Sequence, residues 1–431
     1  MKILLIGSGG REHAFAWKIT QSIHCEKLYI APGNAGTTAL GENIAISVND
    51  FEKMGSFCLE KEIDLLVVGP EEPLVNGLRN YFEAKDELKN IPIVGPGKEG
   101  AQLEGSKDFS KQFMARHGVP TAGYQTFTKE SLDEGLAFIR KQELPIVLKA
   151  DGLAAGKGVL ICQDYEEACG EFREMLLEEK FGAASRKVVI EEFLTGIELS
   201  VFVALDGSDY VILPEAKDYK RIGDHDTGLN TGGMGAVSPV PFADEAFMQK
   251  VKERVVIPTL SGLKKDGIPY QGFIFIGLMN KAGDPYVIEY NVRMGDPETQ
   301  AVLPRIESDF VELLMGIATQ SLSHYQLKIS STAATTVVMV AEGYPEAYEK
   351  GRPIQGLDGV LESKSLVFHA GTATTDSGEV ITNGGRVLGI TGKGEEMKDS
   401  ISNAYAKVKQ IQWDGAHYRK DIGQDILHVV K

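Results

Sequence analysis

Strand and helix alternate through the first hundred residues, and that order restricts this part of the chain to a layered, parallel α/β sheet. Short apolar runs at Lys2–Ile6, Leu28–Ile30, Ile63–Val68 and Ile91–Val94 are each soon followed by Gly or Pro, and Arg11–Ile19 reads as a helix. Strands joined through helices lie parallel. In such sheets ligands sit beyond the carboxyl ends of the strands. Gly7-Ser8-Gly9-Gly10-Arg11-Glu12-His13 and Gly69-Pro70-Glu71-Glu72-Pro73 both occupy such ends.

The first of these loops is not a dinucleotide fingerprint. G-x-G-x-x-G would need glycine at position 12, which is Glu12, and the second strand ends at Ile30-Ala31-Pro32 without an acidic residue for a ribose. A helix start still offers free N–H groups and a partial positive charge. The loop therefore fits either a metabolite phosphate or a tight strand–helix turn.

A second region begins near Gly105. Ser106–Arg116 is predicted helical, ended by Gly118-Val119-Pro120. Pro145–Lys149 and Val159–Cys162 read as antiparallel strands flanking a glycine-rich turn, and Val188–Phe193 with Leu199–Leu205 as another strand pair. Asp218–Pro239 is polar and glycine-rich, the composition of a long functional loop. Ala243–Lys265 is predicted mostly helical, and Gly272–Met279 pairs with Tyr286–Arg293. Ser321–Ala334 reads as a linker. Thr335–Lys431 is strand-rich, with strands at Thr335–Ala341, Leu366–Gly371 and Arg386–Thr391 and a late helix at Glu395–Gln410.

On a strand over Tyr286–Arg293, side chains alternate between faces, so Glu289, Asn291 and Arg293 share one. A carboxylate beside an amide oxygen suits Mg2+ or Mn2+ carrying phosphates, and the guanidinium fork suits a phosphate or carboxylate. Taken alone, the cluster reads first as a sheet edge with surface ion pairs, and the rest of the chain shifts the balance to a metal and phosphate site. Lys149-Ala150-Asp151-Gly152-Leu153-Ala154-Ala155-Gly156-Lys157-Gly158-Val159 is not a P-loop: its spacing is one residue short, Gly158 stands where Ser or Thr belongs, and a strand follows. It is a hairpin tip whose small residues let backbone N–H groups close over phosphates, with Lys149 aimed at the same place; the alternative is a solvent-exposed glycine hairpin. Glu191-Glu192-Phe193-Leu194-Thr195-Gly196-Ile197-Glu198 offers an apolar platform for adenine at Phe193/Leu194 and a carboxylate, Glu198, for ribose hydroxyls, or else a common surface hairpin.

Composition narrows the function classes. A net charge of -16 over 431 residues argues against a sequence-independent grip on nucleic acid or an anionic membrane. No stretch approaches the apolar length of a membrane helix, and four apolar residues before Gly7 are too few for a signal segment. Cys25, Cys58, Cys162 and Cys169 form no C-x-x-C pair, which fits reduced thiols in a cytoplasm. The histidines show no zinc spacing.

The order of these motifs resembles the ATP-grasp superfamily and, within it, the phosphoribosylamine–glycine ligase family. The resemblance rests on Gly7–His13, Gly69-Pro70-Glu71, Lys149–Val159, Asn230-Thr231-Gly232-Gly233-Met234-Gly235 and Arg293-Met294-Gly295-Asp296-Pro297-Glu298, and covers nearly the whole chain. The family usually carries Phe at Met294, a volume-tolerant apolar exchange. The resemblance implies three domains: an N-terminal α/β domain over 1–104 that binds phosphoribosylamine, an ATP-grasp α+β domain over 105–320 with a mobile lid about 120–190, and a small β-rich C-terminal domain over 335–431. It implies a cytoplasmic, monomeric ligase acting on ATP, glycine and 5-phosphoribosylamine with Mg2+ or Mn2+. Lys107, Lys149, Gly152, Gly156, Lys157, Gly158, Glu191, Leu194 and Glu198 would take ATP, and Glu289 and Asn291 the metal. Gly9, Gly10 and Glu71 would take the phosphoribosylamine, while Arg293 and Asp296 would face glycine and an acyl phosphate. Another ATP-grasp ligase, using formate or bicarbonate, and a non-catalytic nucleotide sensor are the rival readings.

Overall fold

Five parallel strands form the N-terminal sheet of the computed structural model, in the order Glu42–Asn43, Lys27–Pro32, Lys2–Gly7, Leu65–Val68, Ile93–Val94. The structure describes residues 1–153, 158–357 and 364–429. Both faces of this sheet are buried, as its unbroken apolar runs require. Leu4 and Ile6 pack with Met54 and Phe82 on one face, and Ile3 and Leu5 with Phe15 and Phe310 on the other. Helix Gly10–Ile19 follows the central strand directly, so its first turn lies at the carboxyl end of the sheet.

Helix Lys107–His117 opens the second region. Ser106 caps it by accepting a hydrogen bond from the Phe109 N–H at 3.1 Å, and Gly118 ends it in the left-handed region. Two four-stranded antiparallel sheets follow. One has the order Tyr124–Thr128, Lys187–Glu192, Ile146–Ala150, Val159–Cys162; the other Tyr210–Ile212, Ile197–Leu205, Gly272–Lys281, Asp284–Asn291. Ile146–Ala150 pairs with Val159–Cys162 as predicted. The expected pairing of Val188–Phe193 with Leu199–Leu205 does not occur: those strands belong to different sheets, and Ile197–Leu205 pairs with Gly272–Lys281 along its full length. Local alternation shows that a strand exists but carries no information about its partner.

The last sheet has the order Lys217–Asp218, Gly235–Ser238, Ala333–Val340, Arg386–Gly394, Ser365–His369. Asp218–Pro239 is thus not a loop. It supplies the inner strand Gly235–Ser238 and part of the edge strand Lys217–Asp218, and folds the hairpin Arg221–Gly223/Thr227–Asn230 between them. The stretch Ser321–Ala334, read as a linker, is anchored at both ends. Leu322 is buried, its N–H bonds Asp206 Oδ2 at 3.0 Å, and Ala333 already lies in a strand. Helix Met397–Val408 covers this sheet.

Candidate active site

Strand ends of the two middle sheets meet at Lys149. From Ile146–Ala150 its Nζ reaches Ile288 O of the other sheet at 3.2 Å and Glu191 Oε2 at 3.0 Å. Beside it Leu194, Ala122 and Met279 form a small buried apolar cluster with Tyr286 and Ile288 against it. Successive side chains point oppositely along extended backbone, so Leu194 turns in while Phe193, expected to share the platform, is 39% exposed. Lys107 Nζ lies 3.4 Å from Gly152 O. Asp151 ties that turn to the helix, accepting from Ser106 Oγ at 2.9 Å and the Asp108 N–H at 2.8 Å. Gly158 O accepts the Ala150 N–H at 2.8 Å. Gly156 and Lys157 lie outside the described residues. Glu198 is not free: its Oε2 receives Lys220 Nζ at 2.6 Å, and that ammonium holds its carboxyl below the usual range.

The strand carrying Glu289 and Asn291 ends at Asn291, two residues before the predicted limit. Arg293 nevertheless stays beside them, its Nη2 donating to Asn291 Oδ1 at 3.2 Å. Burial opposes the charge on Glu289, but Lys220, Lys149, Lys107 and Arg293 together keep its carboxyl ionised below the ordinary range. A carboxylate and an amide oxygen on one face, with cations placed for phosphates around them, fit a divalent cation that arrives with a nucleotide. Arg293 is itself held between two acids: Nη2 to Glu104 Oε1 at 2.9 Å and Nε to Glu71 Oε2 at 3.3 Å. Burial pushes Glu104 up to about 7 despite Arg293. Burial also opposes the charge on Glu71, but Arg293 and Arg11 overcome it and bring this carboxyl down to about 2.

At the first helix the glycine loop wraps a carboxylate of the chain itself. Glu12 Oε2 accepts the Gly9 N–H at 2.7 Å and Oε1 bonds Arg11 Nε at 2.6 Å. A Cβ on Gly7 would stand 2.4 Å from Glu12 Cγ, and one on Gly69 would stand 2.1 Å from Glu12 Oε1. Glycine is needed at both positions by Glu12. Gly10 is constrained likewise: a Cβ there would meet Gln300 Nε2 at 2.4 Å. The Arg11 N–H is accepted by Asp296 Oδ2 at 3.2 Å.

Asp296 joins all three regions. Gln300 Nε2 donates to its Oδ1 at 2.8 Å, and Arg386, from a C-terminal strand, donates through Nη1 to the carbonyls of Asp296 and Gly232, both at 2.6 Å. Burial opposes its charge, yet Arg386 and Arg11 hold the carboxyl low. Across the same junction the His369 N–H donates to His13 Nδ1 at 2.8 Å; burial and His369 bring His13 down to about 3, so it is neutral. The structure therefore gathers Lys149, Glu191, Glu289, Asn291 and Arg293 into one cluster that Lys107 faces, and places Gly9, Gly10 and Asp296 around the helix start, with Glu71 linking the two through Arg293. Sequence reading missed Lys111, Glu104, Lys220 and Arg386. Only Lys111 had a local signal, standing one helical turn after Lys107.

The phosphoribosylglycinamide synthetase family matches the chain in three pieces: its N domain over residues 1–104, its ATP-grasp (A) domain over 105–299 and its C domain over 334–425. The phosphoribosylamine–glycine ligase of Vibrio parahaemolyticus is 47% identical over 426 residues, 98% of each chain. That of Escherichia coli K12 is 46% identical over 427 residues, again 98% of each. The crystal structure of the Thermotoga maritima phosphoribosylamine–glycine ligase superposes with a TM-score of 0.84 at 37% identity, covering 98% of this chain and 100% of the other. A biotin carboxylase domain from Hydrogenobacter thermophilus has a TM-score of 0.72 at 17% identity, over 97% of this chain and 91% of the other, a likeness of fold alone.

Proposed function

The chain belongs to the phosphoribosylglycinamide synthetase family, and on that premise we propose how its residues divide the work. It is an ATP-grasp ligase that joins glycine to 5-phosphoribosylamine with ATP, the glycine-adding step of purine biosynthesis. We assign the nucleotide to the cleft between the middle sheets, with adenine at Leu194, phosphates at Lys107, Lys149 and the Gly152–Gly158 hairpin, and Glu191 and Glu198 beside them. The observation that carries this is Lys149 bridging the two middle sheets, from Glu191 Oε2 at 3.0 Å to Ile288 O at 3.2 Å, next to Glu289, whose charge Lys220, Lys149, Lys107 and Arg293 favour. Mg2+ or Mn2+ would be held by Glu289 and Asn291, where it would neutralise phosphate charge. The domain limits 1–104, 105–320 and 335–431, a lid about 120–190, a monomeric state and a cytoplasmic location belong to the same reading.

A carboxylate is a poor electrophile, so it must be activated before an amine can attack. A glycine carboxylate oxygen attacks the γ-phosphorus and the bond to ADP breaks, giving glycyl phosphate. The phosphoribosylamine nitrogen then attacks the acyl carbon, the C–O bond breaks, phosphate leaves with that oxygen, and the nitrogen loses a proton. Arg293, fixed by Glu71 and Glu104, presents a fork to the carboxylate and then to the acyl phosphate. Asp296, ionised, faces glycine and the acyl phosphate as Arg293 does, and there accepts a hydrogen bond from the attacking phosphoribosylamine nitrogen. Gly9, Gly10 and Glu71 bound the phosphoribosylamine site.

Glycine labelled with 18O in its carboxylate tests the route: label is expected in the released phosphate, and label retained wholly in the product and unreacted glycine would overturn it. ADP formation with each substrate omitted in turn, and with formate or bicarbonate replacing glycine, tests the substrate. A nucleotide sensor would form no ADP under any of these conditions.

A further inference from the structure

Glu191 Oε2 is shared by two ammonium groups, Lys111 Nζ at 2.9 Å and Lys149 Nζ at 3.0 Å, while Glu191 Oε1 is buried with no hydrogen-bond partner among the described residues. All three side chains are almost fully enclosed: Lys111 is 2% exposed, Glu191 3% and Lys149 5%. The two lysines are anchored differently. Lys111 also donates to Thr121 Oγ1 at 2.8 Å, and that hydroxyl donates to Val287 O at 2.6 Å, an anchor that does not involve Lys149. Lys149 has, besides Glu191, one carbonyl contact at 3.2 Å and faces Glu289.

Two ammoniums on one carboxylate leave this triad with one unit of positive charge in a place sealed from water, offset only beyond direct contact by Glu289, which Lys220, Lys107 and Arg293 also face. A buried charge without a contacting partner is costly, so the arrangement favours an anion beside Lys149. The complementary cost also matters. If Lys149 turned to a phosphate and nothing else held Glu191, the carboxylate would be stranded.

We propose that Lys111 is a positioning residue for the ligase reaction: it carries the countercharge of Glu191, so that Lys149 can exchange Glu191 for the nucleotide phosphates. This rests on Lys149 being a phosphate lysine, as proposed above. Lys111 acts through Glu191 and does not itself reach the reacting atoms. Burial and, less, Lys149 bring Lys111 down to about 8, with Glu191 the main group opposing that shift and Glu192 a lesser one. The unpartnered Oε1 keeps an acceptor free for a nucleotide donor while Oε2 stays occupied.

The test compares Lys149→Met, Lys111→Met, Glu191→Gln and the double variant Lys111→Met/Glu191→Gln for ATP affinity, kcat and melting temperature. Lys111→Met should raise the KM for ATP about tenfold or more and lower kcat, because Lys149 becomes the sole partner of Glu191 and is held there. The KM for glycine should stay within about twofold, since its proposed partners are elsewhere. The double variant should recover most of the ATP affinity, because a neutral amide no longer retains Lys149. If Lys111→Met does not fold, Lys111→Gln, which can still donate to Thr121, serves in its place. ATP affinity and kcat unchanged in the Lys111 variant, or a double variant no better than the single one, would overturn the proposal. A purely structural Lys111 gives the second pattern, with both variants losing melting temperature and no recovery. Unchanged ATP affinity in Lys149→Met would instead remove Lys149 from the nucleotide site, and this inference with it.

Discussion

Glu191 and Glu289 each face more than one cation, whereas at the Gly7–Gly10 loop the positive helix start and Arg11 are already matched by Glu12 and Asp296. Both regions looked alike in sequence: glycines beside a charged residue at the end of a strand. They differ in what the glycines accommodate. At the N-terminal loop they make room for the chain's own carboxylate. A glycine-rich turn before a helix is therefore not by itself an empty anion cradle, and the balance of side-chain charge around it decides whether a phosphate is welcome.

Three variants would break or sharpen that contrast. The largest effect is expected at the cation-rich end. Glu289→Gln should lower turnover on the order of 100-fold and raise the Mg2+ requirement, with little change in melting temperature in the absence of ATP. Metal titrations of activity measure this; a loss of stability with an unaltered metal requirement would make Glu289 structural.

At the loop, Gly10→Ala should cost about 1–3 kcal/mol of stability by pressing on Gln300, and should raise the KM for phosphoribosylamine by displacing Asp296, which Gln300 holds. Gln300→Ala in the same chain should restore stability and much of the affinity. Failure of that rescue, with ATP kinetics normal, would mean that ligand rather than Gln300 needs the space at Gly10, and the loop would be a phosphate cradle after all.

The smallest effect is a pH dependence at the junction. The Glu104 carboxyl is raised in the folded chain to about 7. The native state thus holds this proton where the unfolded chain, with an ordinary carboxyl near 4.3, has lost it. Its contribution is complete below the unfolded value and is lost as pH rises through about 7. Glu104→Gln should therefore flatten the fall in melting temperature between about pH 4.5 and 7 relative to the parent chain. Glu71, brought down to about 2, has the opposite sign: its stabilisation is present above the ordinary carboxylate range and fades only as pH falls toward about 2.

The parts of the site visible in the sequence lie within single strands or turns. Glu289, Asn291 and Arg293 were legible because one period-two pattern puts them together, and Lys149 because a strand and a hairpin meet there. Arg386 and Glu104 were not, since they reach Asp296 and Arg293 across 90 and 189 residues, and nothing in a local pattern encodes such a contact. Lys220 was hidden in a stretch whose glycines and polar residues read as a loop although strands flank it. The N-terminal sheet was read nearly whole because each of its main strands is apolar throughout. The pairing error at Leu199–Leu205 arose from the same property: a strand buried on both faces fits several neighbours equally.

The last sheet is shared between distant parts of the chain. Its strand Gly235–Ser238 pairs with Ala333–Val340, which pairs in turn with Arg386–Gly394. For a chain emerging from a ribosome, Gly235–Ser238 is an unfilled sheet edge until residues 333–340 have been made, and such an edge invites pairing with other chains. The turn at Asp296 likewise waits for Arg386. A product shortened before residue 386 would thus be more than an enzyme lacking an accessory module. It would carry a half-built active site and an adhesive strand, so early termination should yield insoluble rather than partly active protein.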